Sequence, residues 1–402
     1  MSGVIIVGAG PGGATLAYLL ARRGIDVTLL ERQTDFAREF RGEVLLPGGL
    51  EPFKQMGLWN ALDTVPHMTL RAVALYVNGK PRVRAGFDPA TFGDLAPRWV
   101  SQPALLEMLV DQARRHPRFC FERGVHARDL LLESERVVGV TLDGGRELRG
   151  ALVVGADGRT SIVRRRAAPR VLSDPTPMDV VWCKLPVPTW FAADPHLRGY
   201  IGGGHLLIAA PVYDQHMQIA WIIPKGKYGE LRERGIPDLI DRMRAHVSPD
   251  LAEHLAQHRS SPMQPFLLSV VSDRVAQWTR PGLLLIGDAA HTMSPVGAQG
   301  LNIAIRDAIV AANHLVPAFE SGASADEIDA AASRTEAERT PEVVEIQRLQ
   351  GIPPRVLLRD TWWSRLVLSV LPHVLQSGIT GAQRVAVIRQ LAFGTSAVKL
   401  AV

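Results

Sequence analysis

The feature that most constrains this chain is its opening segment, "GVIIVGAGPGGATLAYLLARRGIDVTLLER", residues 3–32. Val4 to Val7 form a continuous apolar, β-branched run, the pattern of a strand buried on both faces of a parallel sheet. Gly8, Gly10 and Gly13 follow in G-x-G-x-x-G spacing with Gly12 between them, and a helical pattern runs from Ala14 to Arg23. A second strand, Asp26 to Leu30, ends at Glu31-Arg32. Each part suits a dinucleotide. Gly8 permits a tight turn, Gly10 lets backbone approach a pyrophosphate, and Gly13 lets helix and strand pack closely. The helix start offers free N–H groups to phosphate, and Glu31 can accept hydrogen bonds from ribose hydroxyls. The motif alone does not say which dinucleotide is bound.

Two later motifs narrow the choice. In "ALVVGADGRTSIVRRR", Ala151 to Val154 reads as a short buried strand, and Gly155, Asp157 and Gly158 mark the turn after it. In "PGLLLIGDAAHTMSPVGAQGLNIAIRDA", Leu283 to Ile286 is another buried strand ending at Gly287-Asp288, and a helix is expected to begin near Gly300. No second G-x-G-x-x-G follows a strand, since "IGGGHLL" at 201–207 has the wrong spacing and no following helix.

GAGPGG at 8–13, GADG at 155–158 and GD at 287–288, in this order, resemble the class A flavoprotein monooxygenases, the family of para-hydroxybenzoate hydroxylase. The resemblance spans roughly the first 320 residues as a scaffold. It implies an α/β fold: a Rossmann-like FAD-binding domain of the GR2 type, an inserted mixed β-sheet substrate domain, and a helical C-terminus. It implies FAD as cofactor, with NAD(P)H as a transient co-substrate and O2 captured as a flavin C4a-hydroperoxide that hydroxylates an electron-rich ring. Asp288 would bind the ribityl chain, and Asp157 would lie near the pyrophosphate. Arg41 in "FRGEVL" and Gln102 in "VSQPALLEML" fall where the family contacts flavin; for each the competing reading is structural, a surface ion pair and a helix start. Pro295 and Gly297 would line the flavin-ring loop. Gly300, Leu301 and Asn302 would open a helix whose dipole faces the flavin edge where negative charge gathers on reduction.

The domains expected are discontinuous: FAD-binding at 1–69, 98–175 and 266–324, substrate-binding at 70–97 and 176–265, and helical at 325–402. Residues 70–87 alternate around an Asn78-Gly79 hairpin signal, and 180–224 is again strand-like, so both stretches read as one substrate-covering sheet. Trp182, His205, Tyr213, Met217 and Trp221 lie on it and are candidates for a water-poor pocket, with ordinary core burial as the competing reading. No catalytic base stands out.

Composition excludes other classes. With 47% apolar and 21% charged residues the chain reads as a globular enzyme, and its +5 charge is dispersed, unlike the basic face of a nucleic-acid binder. Cys120 and Cys183 form no CxxC, so neither a zinc site nor a disulfide framework is expected, and a reducing cytoplasm fits. The stretch Trp362 to Leu375 contains Arg365 and Pro372 and is too broken to span a bilayer. Trp362-Trp363 suits a core or dimer contact, or a peripheral membrane contact; the oligomeric state is open.

Three rival functions remain. A flavin-dependent halogenase would carry W-x-W-x-I-P; here Ile219 replaces the first tryptophan of Ile219 to Pro224, and Lys80 sits in a hairpin turn. A reductase or dehydrogenase would consume no oxygen with its substrate. A non-enzymatic binding protein on the same scaffold would be colourless when purified, and the intact Asp288 motif argues against it.

Overall fold

The computed structural model describes residues 3–37, 43–202, 204–352 and 392–402; Arg41 and Trp362-Trp363 lie outside the described residues. A six-stranded sheet runs in the order Thr279–Arg280, Leu283–Leu285, Leu152–Gly155, Val4–Val7, Val27–Glu31, Phe119–Arg123. Its five longer strands pair in parallel and only the Thr279–Arg280 edge is antiparallel. The strand Val4–Val7 is buried at every position, as its unbroken apolar run requires.

Helix Pro11–Arg22 starts three residues before the apolar pattern suggested. Glycine weighs against helix, so Gly12 and Gly13 read as turn; the proline at the first helical position instead presets the backbone and carries them into the first turn. This helix packs between Gln102–Ala113 and the long helix Gln299–Glu320. Helix Ala325–Gln350, started by a Ser324–Glu327 capping box, lies against the latter.

The second layer is a seven-stranded sheet: Phe266–Ser269, Met178–Pro186, His216–Pro224, His205–Pro211, His196–Gly202, Ala72–Val77, Lys80–Gly86. It joins residues 72–86 to residues 178–224 through a parallel pair, Ala72–Val77 with His196–Gly202, so one sheet is assembled from separate parts of the chain. Phe266–Ser269 also belongs to it, by pairing with Met178–Pro186. One face of this sheet packs with Leu231, Leu239, Ile240, Met243, Leu251 and Leu255, from helices Tyr228–Arg244 and Pro249–Gln257. The other face turns toward the dinucleotide fold. Among the described residues no helix is long and apolar enough to cross a membrane.

Candidate active site

The three motifs meet because their strands are neighbours in one register. Val7 pairs with Gly155, and Gly155 with Leu285, so Gly8, Asp157 and Gly287-Asp288 all emerge from the same edge of the sheet. That edge is the carboxyl end of parallel strands, where α/β folds bind ligands. Gly8 has φ +103, and a Cβ on it would lie 2.5 Å from the Ala156 carbonyl oxygen. A Cβ on Gly13 would lie 2.0 Å from the Gly8 carbonyl oxygen, and one on Gly12 would lie 3.0 Å from that of Ala304. A Cβ on Gly10, by contrast, would meet only the Ala156 oxygen, at 3.8 Å, among the described residues, which leave room above it. Among the described residues no side chain caps the Pro11–Arg22 helix at Gly10, and no acidic residue sits in its first turn. Its N–H groups are left for an anion.

Glu31 is buried, and its two oxygens accept from the amides of Ala9 (3.0 Å) and Gln33 (3.0 Å). It therefore fixes the glycine loop to the end of the second strand; Arg32 beside it is exposed. Asp157 accepts from the Ser161 hydroxyl and from the Ile162 amide at 2.6 Å, turning the start of helix Ile162–Ala167 back onto the GADG loop. Arg159 donates to Asp288 at 3.2 Å, linking two of the motifs directly. Gln102 occupies the first position of its helix and is 7% exposed.

Behind Gly287-Asp288 lies a buried network of charges. Asp307 accepts from the Gly287 amide (3.0 Å), His291 Nε2 (2.7 Å) and Arg339 Nε (2.8 Å). Arg339 and Arg306 both pair with Glu342, and Arg306 also donates to the Phe393 and Ser396 carbonyls. Burial works to raise the Asp307 pKa, but the charges and hydrogen bonds of His291 and Arg339 outweigh it and hold the carboxyl below its ordinary range.

The loop after this turn is held from outside. Gln350 accepts from the Ser294 amide (3.1 Å) and donates to the carbonyls of Ser294 (2.9 Å) and Val296 (2.7 Å). Gly297 and Ala298 take left-handed φ of +75 and +53, and helix Gln299–Glu320 then starts with no side-chain cap. Gly300 has ordinary packing room, and Leu301 is buried in the core. Asn302 donates to the Val44 carbonyl (3.0 Å) and the Ala298 carbonyl (2.7 Å) and accepts from the Leu46 amide (2.8 Å). Its side chain thus pins residues 44–46 to the loop. Gln350→Ala should speed amide hydrogen exchange at Ser294 by roughly 10- to 100-fold, since it removes bonds worth about 0.5–1.5 kcal/mol each. Unchanged exchange would mean the loop holds itself.

The loop and the sheet share one apolar cluster. Val296, Ala298, Leu46 and Trp99 pack with Val180, Trp182, Ala210, Ala220, Ile222 and Tyr213. Strand alternation decides which pocket candidates belong here. Trp182 and Tyr213 face the loop, whereas Trp221 and Met217 face the helices on the opposite side. His205 stacks on His246 (4.3 Å) and lies 5.5 Å from Trp221, also away from the loop. The sequence could not reveal this, because both faces of the central strands are apolar and only pairing register tells inside from outside. For the same reason Ile219 points away from the site, and Lys80 is exposed at its hairpin.

Sequence reading also missed the polar atoms of this cluster. Trp182 Nε1 and both amide atoms of Gln218 are buried with no hydrogen-bond partner among the described residues. Gln218 shares a strand face with Ala220, two residues away. Such groups cost about 1–3 kcal/mol each when unpaired, which fits a site completed by a ligand bearing oxygens. Glu43, 6% exposed, accepts from Trp99 Nε1 at 3.0 Å. Lys184 lies 5.8 Å from the Tyr213 ring centroid and donates to Asp214 at 2.7 Å.

Residues 1–345 match the FAD binding domain family. The chain belongs to this family. It is 34% identical to 6-methylpretetramide 4-monooxygenase of Streptomyces rimosus over 405 aligned residues, covering 99% of this chain and 93% of that protein. Among solved structures it resembles p-nitrophenol 4-monooxygenase of Pseudomonas putida, with TM-score 0.80, 17% identity and coverage of 98% and 99% of the two chains. It also resembles PqsL, a probable FAD-dependent monooxygenase of Pseudomonas aeruginosa, with TM-score 0.79, 23% identity and coverage of 92% and 99%. The family assignment bears out the FAD-dependent monooxygenase expected from the three motifs, and the fold is the α/β type expected. The glycine cradle, the uncapped helix starts and the apolar cluster under the 294–298 loop all suit the FAD that the family binds.

Proposed function

We propose that this FAD-dependent monooxygenase hydroxylates a phenolic fused-ring aromatic molecule held between the 294–298 loop and the seven-stranded sheet. The observation that carries the reading is the apolar cluster shared by loop and sheet, with Trp182 in it and Gln218 beside it holding buried polar atoms that have no partner among the described residues. A relative 34% identical over nearly the whole chain is a 6-methylpretetramide 4-monooxygenase, which supports a large aromatic ligand of the phenolic, quinolone or polyketide kind. The net reaction is substrate C–H plus O2, NAD(P)H and a proton, giving C–OH, NAD(P)+ and water.

Bound FAD supplies hydride acceptance from NAD(P)H and activation of oxygen. The chain supplies the rest. Gly8, Gly10, Gly12, Gly13 and the Pro11 helix start take the diphosphate, and Glu31 with Arg32 takes the adenosine side. Asp157 lies by the diphosphate, Arg41 and Gln102 contact the flavin, and Gly287-Asp288 holds the ribityl chain. The N–H groups at Gly300, Leu301 and Asn302 face the flavin edge that gains charge, while Pro295 and Gly297 cover the ring. The cluster around Trp182 excludes water. In this division the six-stranded sheet and its helices form the FAD-binding part, the seven-stranded sheet the substrate part, and helix Ala325–Gln350 a buttress; the enzyme works in the cytoplasm.

The test is NAD(P)H oxidation by the holoprotein against phenols, quinolones and polyketide aromatics, with oxygen uptake and product mass recorded. Substrate-stimulated oxidation with matching hydroxylated product is expected, and Asp288→Lys should lose retained flavin. Oxidation yielding peroxide alone with every compound, or full flavin retention by Asp288→Lys, would overturn the reading. A chloride- or bromide-dependent product mass would move it to halogenation.

A further inference from the structure

Among the described residues Glu43 is a buried carboxylate with no ion-pair partner. It is 6% exposed and stands just before Val44 and Leu45, the short strand that Asn302 pins to the 294–298 loop. Its Oε2 accepts the Trp99 indole N–H, and Val44 and Trp99 are both members of the apolar cluster shared with the substrate sheet. The carboxyl therefore sits where the dinucleotide fold meets the sheet. Tyr213 lies near it from the facing 211–216 turn. Lys184 and Asp214 act on its charge with opposite signs, and Trp99 favours the ionised form. Lys184, Asp214 and the half-buried His216 form a ladder toward solvent, joined by contacts of 2.7 Å and 3.3 Å.

A structural carboxylate this buried is normally matched by a cation in direct contact. Among the described residues Glu43 has instead a neutral indole donor and two more distant charges of opposite sign. The dominant effect is burial, which pushes its carboxyl up to about 7. A carboxyl poised there can take and return a proton at neutral pH.

We propose that Glu43 is a catalytic residue that accepts the hydrogen bond, and then the proton, of the substrate hydroxyl. This rests on the monooxygenase reading and adds the general base that the sequence did not disclose. As the ring carbon bonds to one oxygen atom of O2, the O–O bond breaks with its pair staying on the other oxygen, while the substrate O–H bond breaks, its pair stays on the substrate oxygen, and the proton bonds to Glu43. Afterwards the carbon bearing the new oxygen releases its hydrogen as a proton, which goes to the second oxygen atom as that leaves as water, and the substrate oxygen takes a proton back from Glu43. The carboxylate ends as it began, and the Lys184–Asp214–His216 ladder lets it equilibrate with solvent.

The test uses holoenzyme and two probes, 1-naphthol and its methyl ether 1-methoxynaphthalene, with binding read from the flavin absorbance. A hydroxyl donor prefers the ionised carboxyl, so 1-naphthol should bind roughly tenfold or more tightly above pH 7 than below it, as for hydrogen bonds to charged groups. The methyl ether should show no such step. Glu43→Gln keeps an acceptor for Trp99 and should abolish the step while retaining FAD. Trp99→Phe removes a donor that favours the ionised form and should move the step to higher pH. Infrared titration of the wild-type holoenzyme should show a protonated carboxyl band that fades through neutral pH and is missing in Glu43→Gln. The same 1-naphthol step in Glu43→Gln, or no such band in wild type, overturns the proposal even where hydroxylation is intact. Failure of both probes to bind at any pH would instead count against aromatic binding between loop and sheet, and so against the proposed function.

Discussion

Asp307→Ala is expected to lower stability by about 3–5 kcal/mol, since removing one partner from a buried charge network leaves the others uncompensated. Asp307 and Arg339 are fully buried, and the lost carboxylate would strand Arg339 and His291 together with the Gly287 amide. Because Gly287 leads into Asp288, flavin should be released at a lower temperature than from wild type. The measurement is a thermal scan that follows tryptophan and flavin fluorescence together. Asp307→Asn keeps part of the bonding and should fall less. A scan of Asp307→Ala that superimposes on wild type would remove the network from any role in the fold. Acid provides a second route to the same loss. The pKa of Asp307 is depressed in the folded state, so its contribution is complete above the ordinary carboxylate range and drains as pH falls through the lowered value.

Gly10→Val should fold normally and bind FAD at least a hundredfold more weakly, on the order of 3 kcal/mol. The backbone of Gly10 is ordinary, with φ −71, and its missing Cβ would meet nothing closer than 3.8 Å. Nothing among the described residues requires glycine there, so close approach of a ligand is the expected reason. Gly13→Ala is the contrasting case, because its Cβ would collide with the Gly8 carbonyl oxygen at 2.0 Å and disturb the apoprotein as well. Flavin titration by fluorescence quenching, beside a melt of the apoprotein, separates the two. Wild-type affinity in Gly10→Val would remove the diphosphate from this loop.

The FAD-binding fold was legible because its signals are local. A β-branched run, a glycine turn and an apolar helix sit within thirty residues, and the same strand–turn punctuation recurs at 152–158 and 283–288. Each motif depends on backbone geometry that only glycine or a short polar side chain permits, so composition and structure coincide. The substrate side was legible as strands but not as a surface. Trp182 and Trp221 look equivalent in sequence, yet one faces the loop and the other the covering helices. Glu43 and Gln350 were missed for a related reason: their partners, Trp99 and the 294–296 backbone, are some fifty-five residues away, and no spacing rule links them. An acidic residue heading the apolar stretch "EVLLPGG" was the one hint for Glu43.

The pairing of Arg306 and Glu342 with backbone at Phe393, Thr395 and Ser396 has a consequence for biogenesis. The groups that brace the GD turn find their last partners only after residue 396 has left the ribosome, more than a hundred residues past the final flavin motif. Nascent chains carrying all three motifs would still lack that brace, so flavin capture becomes a late, whole-chain event rather than a step taken as each motif emerges.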